Sequence, residues 1–183
     1  ITQGEFQQMQ IANKPETTKR EYFDVIGKKT AELFGASGES GIVVAGGNVK
    51  QQKAAYDYGF NLGLAFQIID DLMDYNISSY QMGKNNGDDF KLGKTTLPII
   101  LAWEKSTPSE KKFWTKTLIK LEQDEMDFEN AINILEKYNI VQECKIIADN
   151  FIQISTESLN DLPDTEFRKP LLELANESIL RTK

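Results

Sequence analysis

The chain contains no histidine and a single cysteine, Cys144. These two shortages argue against a zinc site and a histidine-based triad, and they forbid an internal disulfide. Catalysis and ligand binding therefore fall to carboxylates, lysines, hydroxyls, amides and a hard metal ion. Positive charge is also scarce: 21 Lys and Arg stand against 28 Asp and Glu, a net charge of -7. Such a surface has no general attraction for nucleic acid or anionic lipid, so basic residues that do cluster stand out. No run is long and apolar enough to span a bilayer, and no charged, apolar, then small-residue leader opens the chain. The expectation is a soluble, unexported, cytoplasmic protein. Alternating β-branched runs bounded by turn pairs are missing, as are internal repeats and low-complexity tracts. What remains predicts an all-α fold, and 183 residues suffice for one core and, most simply, one domain.

Helix starts recur where the absent strand signals do not. A first segment closes at Asn13-Lys14-Pro15. Thr18-x-x-Glu21 then forms a capping box, opening a helix through Tyr22, Val25, Ile26, Thr30, Leu33 and Phe34 that is expected to continue to Val44 and stop at Gly46-Gly47. Gly35, Gly38 and Gly41 lie three apart in it. That spacing matches neither a dinucleotide nor a P-loop fingerprint, so close approach of a neighbouring helix is the better reading. Asn48, with Gln51 in the reciprocal position, caps a helix reaching about Tyr75. From Asn76 to Lys94 the chain is too rich in Gly, Asn and Ser to predict regular structure. Thr96-Leu97-Pro98 and Thr107-Pro108-Ser109-Glu110 start further helices with proline in the first turn. Helical spacing resumes over Phe128–Tyr138 and Val141–Leu159, and a last helix, expected to be disturbed at Pro170, ends near Arg181.

The most informative stretch is Phe66 to Tyr75, where Asp70, Asp71 and Asp74 interrupt an apolar run. At about 100° per residue, Gln67, Asp70, Asp71 and Asp74 share roughly 100° of arc with Gly59 and Gly63. The rest of the circumference is apolar and belongs inside a fold. Carboxylates facing inward together repel one another and resist desolvation, so they require protonation, a Lys or Arg partner, or a divalent ion. Without His or Cys, the ion would be a hard one. Mg²⁺ is held by one or two carboxylates plus substrate phosphates and suits a sparse D-D-x-x-D. The loop that follows carries Lys84, Lys91 and Lys94, compact charges able to capture a phosphate oxygen. Asp124 with Asp127, and Asp161 with Asp164, are acidic pairs in polar connections and read as decoys, not as ligands of a catalytic ion.

Ordered motifs then carry a resemblance. Gly4-Glu5-x-x-Gln8, Tyr22-x-x-x-Ile26 with Lys29-Thr30-Ala31-x-Leu33-Phe34, and Phe66-Gln67-x-x-Asp70-Asp71-x-x-Asp74 occur in sequence, followed by Gly83-Lys84-Asn85-x-Gly87-Asp88-Asp89 and Gly93-Lys94-Thr95-Thr96-Leu97-Pro98. The chain resembles the trans-type isoprenyl (polyprenyl) diphosphate synthases, most closely the bacterial long-chain, octaprenyl kind, with Thr95 where that family usually has proline. The resemblance implies an isoprenoid synthase-type helical bundle, Mg²⁺ as cofactor, and condensation of an allylic diphosphate with isopentenyl diphosphate. It also implies a homodimer in the intact enzyme and a place in quinone biosynthesis. By the same resemblance Asp70 is the principal metal ligand, supported by Asp71 and Asp74. Lys29, Lys84 and Lys94 bind the diphosphate, and Thr30 and Gln67 turn uncharged dipoles toward the allylic cation.

The family's first aspartate-rich motif, the Arg pair after it and a Lys-Gly-x-Arg element do not occur in these 183 residues. Residues 1–183 are therefore expected to be the C-terminal portion of one synthase domain, without activity alone. A class I terpene cyclase would need an (N/D)-D-x-x-(S/T)-x-x-x-E site, which Asp70-Asp71-Leu72-Met73-Asp74 does not supply. A non-catalytic or regulatory subunit is the remaining alternative.

Overall fold

The structure is a computed structural model that describes residues 1–75 and 87–180. Every regular element in that range is helical. In chain order the α-helices are α1 (Thr2–Ile11), α2 (Lys19–Ile26), α3 (Glu32–Val44), α4 (Val49–Met73), α5 (Asp88–Lys91), α6 (Leu97–Lys105), α7 (Pro108–Trp114), α8 (Asp127–Lys137), α9 (Ile140–Ser158) and α10 (Arg168–Leu180), with π-turns at Gly27–Ala31 and Thr115–Ile119 and a 3-10 turn at Leu159–Asp161. The capping boxes form as the sequence predicts. Thr18 Oγ1 accepts from the Glu21 N–H while Glu21 accepts from the Thr18 N–H, and Asn48 with Gln51 and Thr107 with Glu110 repeat the exchange.

Three expectations need correction. The helix opened by Thr18 runs to Val44 as expected, but not with uniform α winding: Gly27–Ala31 is a π-turn, in which the Glu32 N–H donates to the Gly27 carbonyl five residues back. Asp88–Lys91, inside the stretch expected to lack regular structure, is the single helical turn α5. Pro170 does not disturb the last helix, because α10 begins at Arg168 and places it in the first turn, where its missing N–H costs no bond. The expected end at Arg181 lies outside the described residues.

The chain divides into two compact units. One comprises Ile1–Glu5, Phe23–Ile69 and the chain from Lys145 on; the other comprises Phe6–Tyr22 and Asp70–Cys144. In the first unit α3 and α4 meet through glycines. A Cβ on Gly38 would collide with the Ala55 carbonyl, one on Gly59 with the Phe34 carbonyl, and one on Gly35 would come within 2.8 Å of the Tyr56 ring. The helix-approach reading of these glycines is therefore right for Gly35 and Gly38, whereas Gly41 faces open space. Ser155 donates to the Tyr58 carbonyl and the Tyr58 hydroxyl to the Leu171 carbonyl, which joins α9 and α10 to α4.

In the second unit the core is α6, whose Leu97, Ile99, Ile100, Leu101 and Ala102 are wholly buried with Trp114, Leu118, Leu135 and Ile140. Each such large side chain contributes about 1.5–3 kcal/mol. The decoy acidic pairs have lysine partners: Lys116 binds both Asp124 and the buried Asp127 that opens α8, and Asp161 pairs with Lys50 in the first unit.

Candidate active site

In the first unit the π-turn carries Lys29 and Thr30. The turn packs against α1 through Gly4, whose Cβ, were there one, would stand 2.5 Å from Lys29 Cα, so only glycine permits the approach. Lys29 is half-buried and forms an ion pair with Glu5 at 3.3 Å. Thr30 donates its hydroxyl to Gln67 Oε1 at 2.7 Å, and Gln67 is buried. Gly63, one turn before Gln67 on α4, meets Ala31 of the same π-turn. The face of α4 that bears Gly59, Gly63 and Gln67 is thus the face that receives the π-turn and α3. Bulges of this kind add one residue to a helix and redirect the side chains that follow, which is why they concentrate at functional positions.

In the second unit the three carboxylates separate. Asp70 is exposed, Asp74 is half-buried, and Asp71 is only 2% exposed. The expectation that all three turn inward holds fully for Asp71 alone. Asp71 accepts from the Tyr22 hydroxyl at 2.7 Å and from the Lys94 ammonium at 3.0 Å. Lys94 also donates to Asp89 at 2.7 Å. Burial holds the Asp71 carboxyl above the usual aspartate range, and the Lys94 charge and Tyr22 bond offset that only in part. Burial acts against the Lys94 ammonium as well, but Asp71 and Asp89 outweigh it and hold Lys94 firmly charged. With two donors on it, Asp71 is the anionic partner of a charged lysine, which meets the requirement for a counter-charge with a side chain.

Asp74 has a different task. Its carboxylate accepts from the Asp89 N–H at 3.0 Å, at the start of α5, while its carbonyl accepts from the Gly87 N–H. Gly87 has φ +86°, a left-handed conformation that favours glycine. Burial first, and then the nearby Asp89 charge, raise the Asp74 carboxyl, with backbone N–H groups opposing them. Lys84 lies outside the described residues. Among the described residues no group of three acidic or sulfur side chains converges on a point where an ion could sit.

Residues 1–135 match the Polyprenyl synthetase family. The chain belongs to that family. It is 34% identical over 183 residues to an octaprenyl diphosphate synthase of Escherichia coli, covering all of this chain and 56% of that protein. It superimposes on the crystal structure of a decaprenyl diphosphate synthase from Rhodobacter capsulatus with a TM-score of 0.95 at 36% identity, over 100% of this chain and 56% of the other. A polyprenyl synthase from Caulobacter crescentus, solved in complex with calcium and isoprenyl diphosphate, gives 0.92 at 37%, again over 100% and 56%. The chain therefore spans about half the length of the relatives it matches. The all-α expectation and the helical isoprenoid synthase fold stand on these comparisons. Likewise, no described helix is long and apolar enough to cross a membrane.

Within this polyprenyl synthetase chain, sequence reasoning did not anticipate the parts played by Tyr22 and Asp89. Both were visible only as members of motifs, Tyr22 as a core residue of an apolar helix face. No spacing rule joins position 22 to position 71.

Proposed function

We propose that the chain is the part of a polyprenyl diphosphate synthase that receives the diphosphate of an allylic substrate for condensation with isopentenyl diphosphate. The observation that carries this reading is the ordered set of family motifs on a chain whose helices superimpose on polyprenyl synthases over their full described length. In a relative solved with calcium and isoprenyl diphosphate, the metal and ligand are of the same chemical class.

The residues present fit magnesium. The donor set is all oxygen, with Asp70 exposed, and Mg²⁺ needs only one or two carboxylates beside phosphate oxygens and water. Asp70 is the direct ligand in this proposal. Asp71 and Asp74 support it from within the fold, since each already accepts hydrogen bonds there. When bound, magnesium supplies electrostatic stabilisation of the leaving diphosphate. Lys29 contributes charge to the same anion, with Lys84 and Lys94, as diphosphate groups of the motif set. The Thr30–Gln67 pair presents dipoles without net charge, which can face an allylic cation without donating a nucleophile to it. Magnesium dependence, the cytoplasm as the location and a homodimer as the assembly belong to this proposal.

Titration calorimetry of the 183-residue chain with farnesyl thiodiphosphate, with and without Mg²⁺, tests it. The expected result is saturable binding only with the metal, lost in Asp70→Asn. Metal-independent binding, or none, would overturn the reading.

A further inference from the structure

Lys94 is held at three points besides its own ammonium contacts. The turn after α1 reaches both of its neighbours. The Asn13 N–H donates to the Gly93 carbonyl at 2.9 Å, and the Lys14 N–H donates to Thr95 Oγ1 at 3.2 Å. Asn13 Nδ2 donates to the Leu118 carbonyl at 2.8 Å, which fixes the turn to the chain that follows α7. The Lys94 N–H itself donates to the Asp89 carbonyl at 2.8 Å.

The backbone on both sides is committed to this arrangement. Asn13 has φ +60° and Gly93 φ +65°, left-handed conformations that asparagine tolerates and glycine adopts freely. A Cβ at Gly93 would overlap Asn13 Nδ2 and come within 2.9 Å of the Leu118 carbonyl. The turn is itself rigid, since Thr17 returns both its N–H and its hydroxyl to the Lys14 carbonyl and is buried. A four-carbon side chain has several rotamers, so an ammonium that meets two carboxylates at 3.0 and 2.7 Å requires its Cα to be fixed.

We infer that the Asn13–Lys14 turn is the positioning element of Lys94, fixing through Gly93 and Thr95 where the ammonium stands against Asp71 and Asp89. Asn13 and Thr95 touch no substrate in this role. They decide whether Lys94 neutralises the buried Asp71 or leaves it uncompensated beside the proposed magnesium ligand. The consequence for ligand binding rests on the proposed function; the consequence for Lys94 does not.

The experiment therefore has two arms. Asn13→Gly keeps the left-handed backbone and its N–H but deletes the side-chain donor, and Thr95→Val keeps the shape but deletes the acceptor. The first arm is the proton–nitrogen spectrum of lysine ammonium groups in the ligand-free chain, with Lys94 assigned by Lys94→Arg. A Lys94 signal protected from exchange in the wild type and lost in either variant, with the circular dichroism unchanged, is the expected result. A signal absent from the wild type, or retained in both variants, overturns the inference whatever the ligand does. The second arm is calorimetry with inorganic diphosphate and Mg²⁺. Each variant is expected to weaken binding about tenfold, the order seen when a partner supporting a ligating group is removed. Wild-type affinity in both variants overturns the coupling to ligand, whereas failure of the wild type to bind refutes the proposed function and leaves the spectrum to decide the turn's role.

Discussion

Asp71 and Lys94 carry opposite charges at a depth where neither is tolerated alone. Removing the ammonium by Lys94→Met takes the charged partner away from a carboxylate that is 2% exposed. Breaking a buried pair from one side costs about 3–5 kcal/mol. Because Lys94 retains 23% of its exposure, the lower end of that range applies. Urea denaturation should show Lys94→Met unfolding early and the double variant with Asp71→Asn losing less than the sum of the two single changes. Additive losses would mean that the two groups do not act on each other.

Glu110 offers a pH signature away from the candidate site. The Lys137 ammonium, with the Thr107 backbone and hydroxyl and the Tyr138 hydroxyl, holds its carboxyl down to about 2. A folded-state value below the unfolded one gives stability that is present above the ordinary glutamate range and lost as pH falls through about 2. Glu110→Gln keeps the capping box, as Gln51 does at Asn48, but discharges the pair with Lys137, and should therefore cost about 0.5 kcal/mol at neutral pH. That difference should fade between about pH 4.5 and about pH 2. A gap unchanged at acid pH would show that the carboxylate charge contributes nothing.

At the scale of elements, what was legible was what a short window contains. Thr18 with Glu21, Asn48 with Gln51 and Thr107 with Glu110 announce helix starts because donor and acceptor lie three residues apart. The π-turn at Gly27–Ala31 was not legible, since a side-chain period of 3.6 does not reveal one extra residue in the winding. Nor was α5: its amino end is satisfied by Asp74, 15 residues before Asp89, across a Gly-rich stretch that by composition reads as loop. The acidic residues illustrate the same limit. Helix geometry places 70, 71 and 74 on one arc, but Tyr22, Lys94 and the Asp89 N–H, all supplied from elsewhere, give each carboxylate its own environment.

The glycines of α3 separate packing from propensity. Gly38→Ala should destabilise the chain by more than about 2 kcal/mol, because its methyl would meet the Ala55 carbonyl on a rigid helix. Gly41→Ala, with open space around it, should stabilise by up to about 1 kcal/mol through helix propensity. Thermal denaturation of the two variants checks both signs. Equal effects would show that α3 and α4 do not approach as closely as Gly38 and Gly59 require.

For the whole molecule, binding and turnover should come apart. The groups proposed to meet a magnesium diphosphate, among them Lys29, Asp70 and Lys94, are within the 183 residues, but the sequence holds a single aspartate-rich motif of the synthase type. Condensation needs a second substrate oriented against the first, and orientation of that kind accounts for a large share of any bimolecular rate enhancement. A chain that spans 56% of its relatives should therefore gain stability from Mg²⁺ and diphosphate without extending an allylic substrate. Ligand at a hundred times its dissociation constant contributes about 2.7 kcal/mol, or roughly 5–10 °C in melting temperature for a protein of this size. Asp70→Asn should abolish the shift, and Asp164→Asn, a change in an exposed connection, should leave it intact. Incorporation of labelled isopentenyl diphosphate by the 183-residue chain would refute the separation, because the carboxylates and lysines present would then suffice for both substrates.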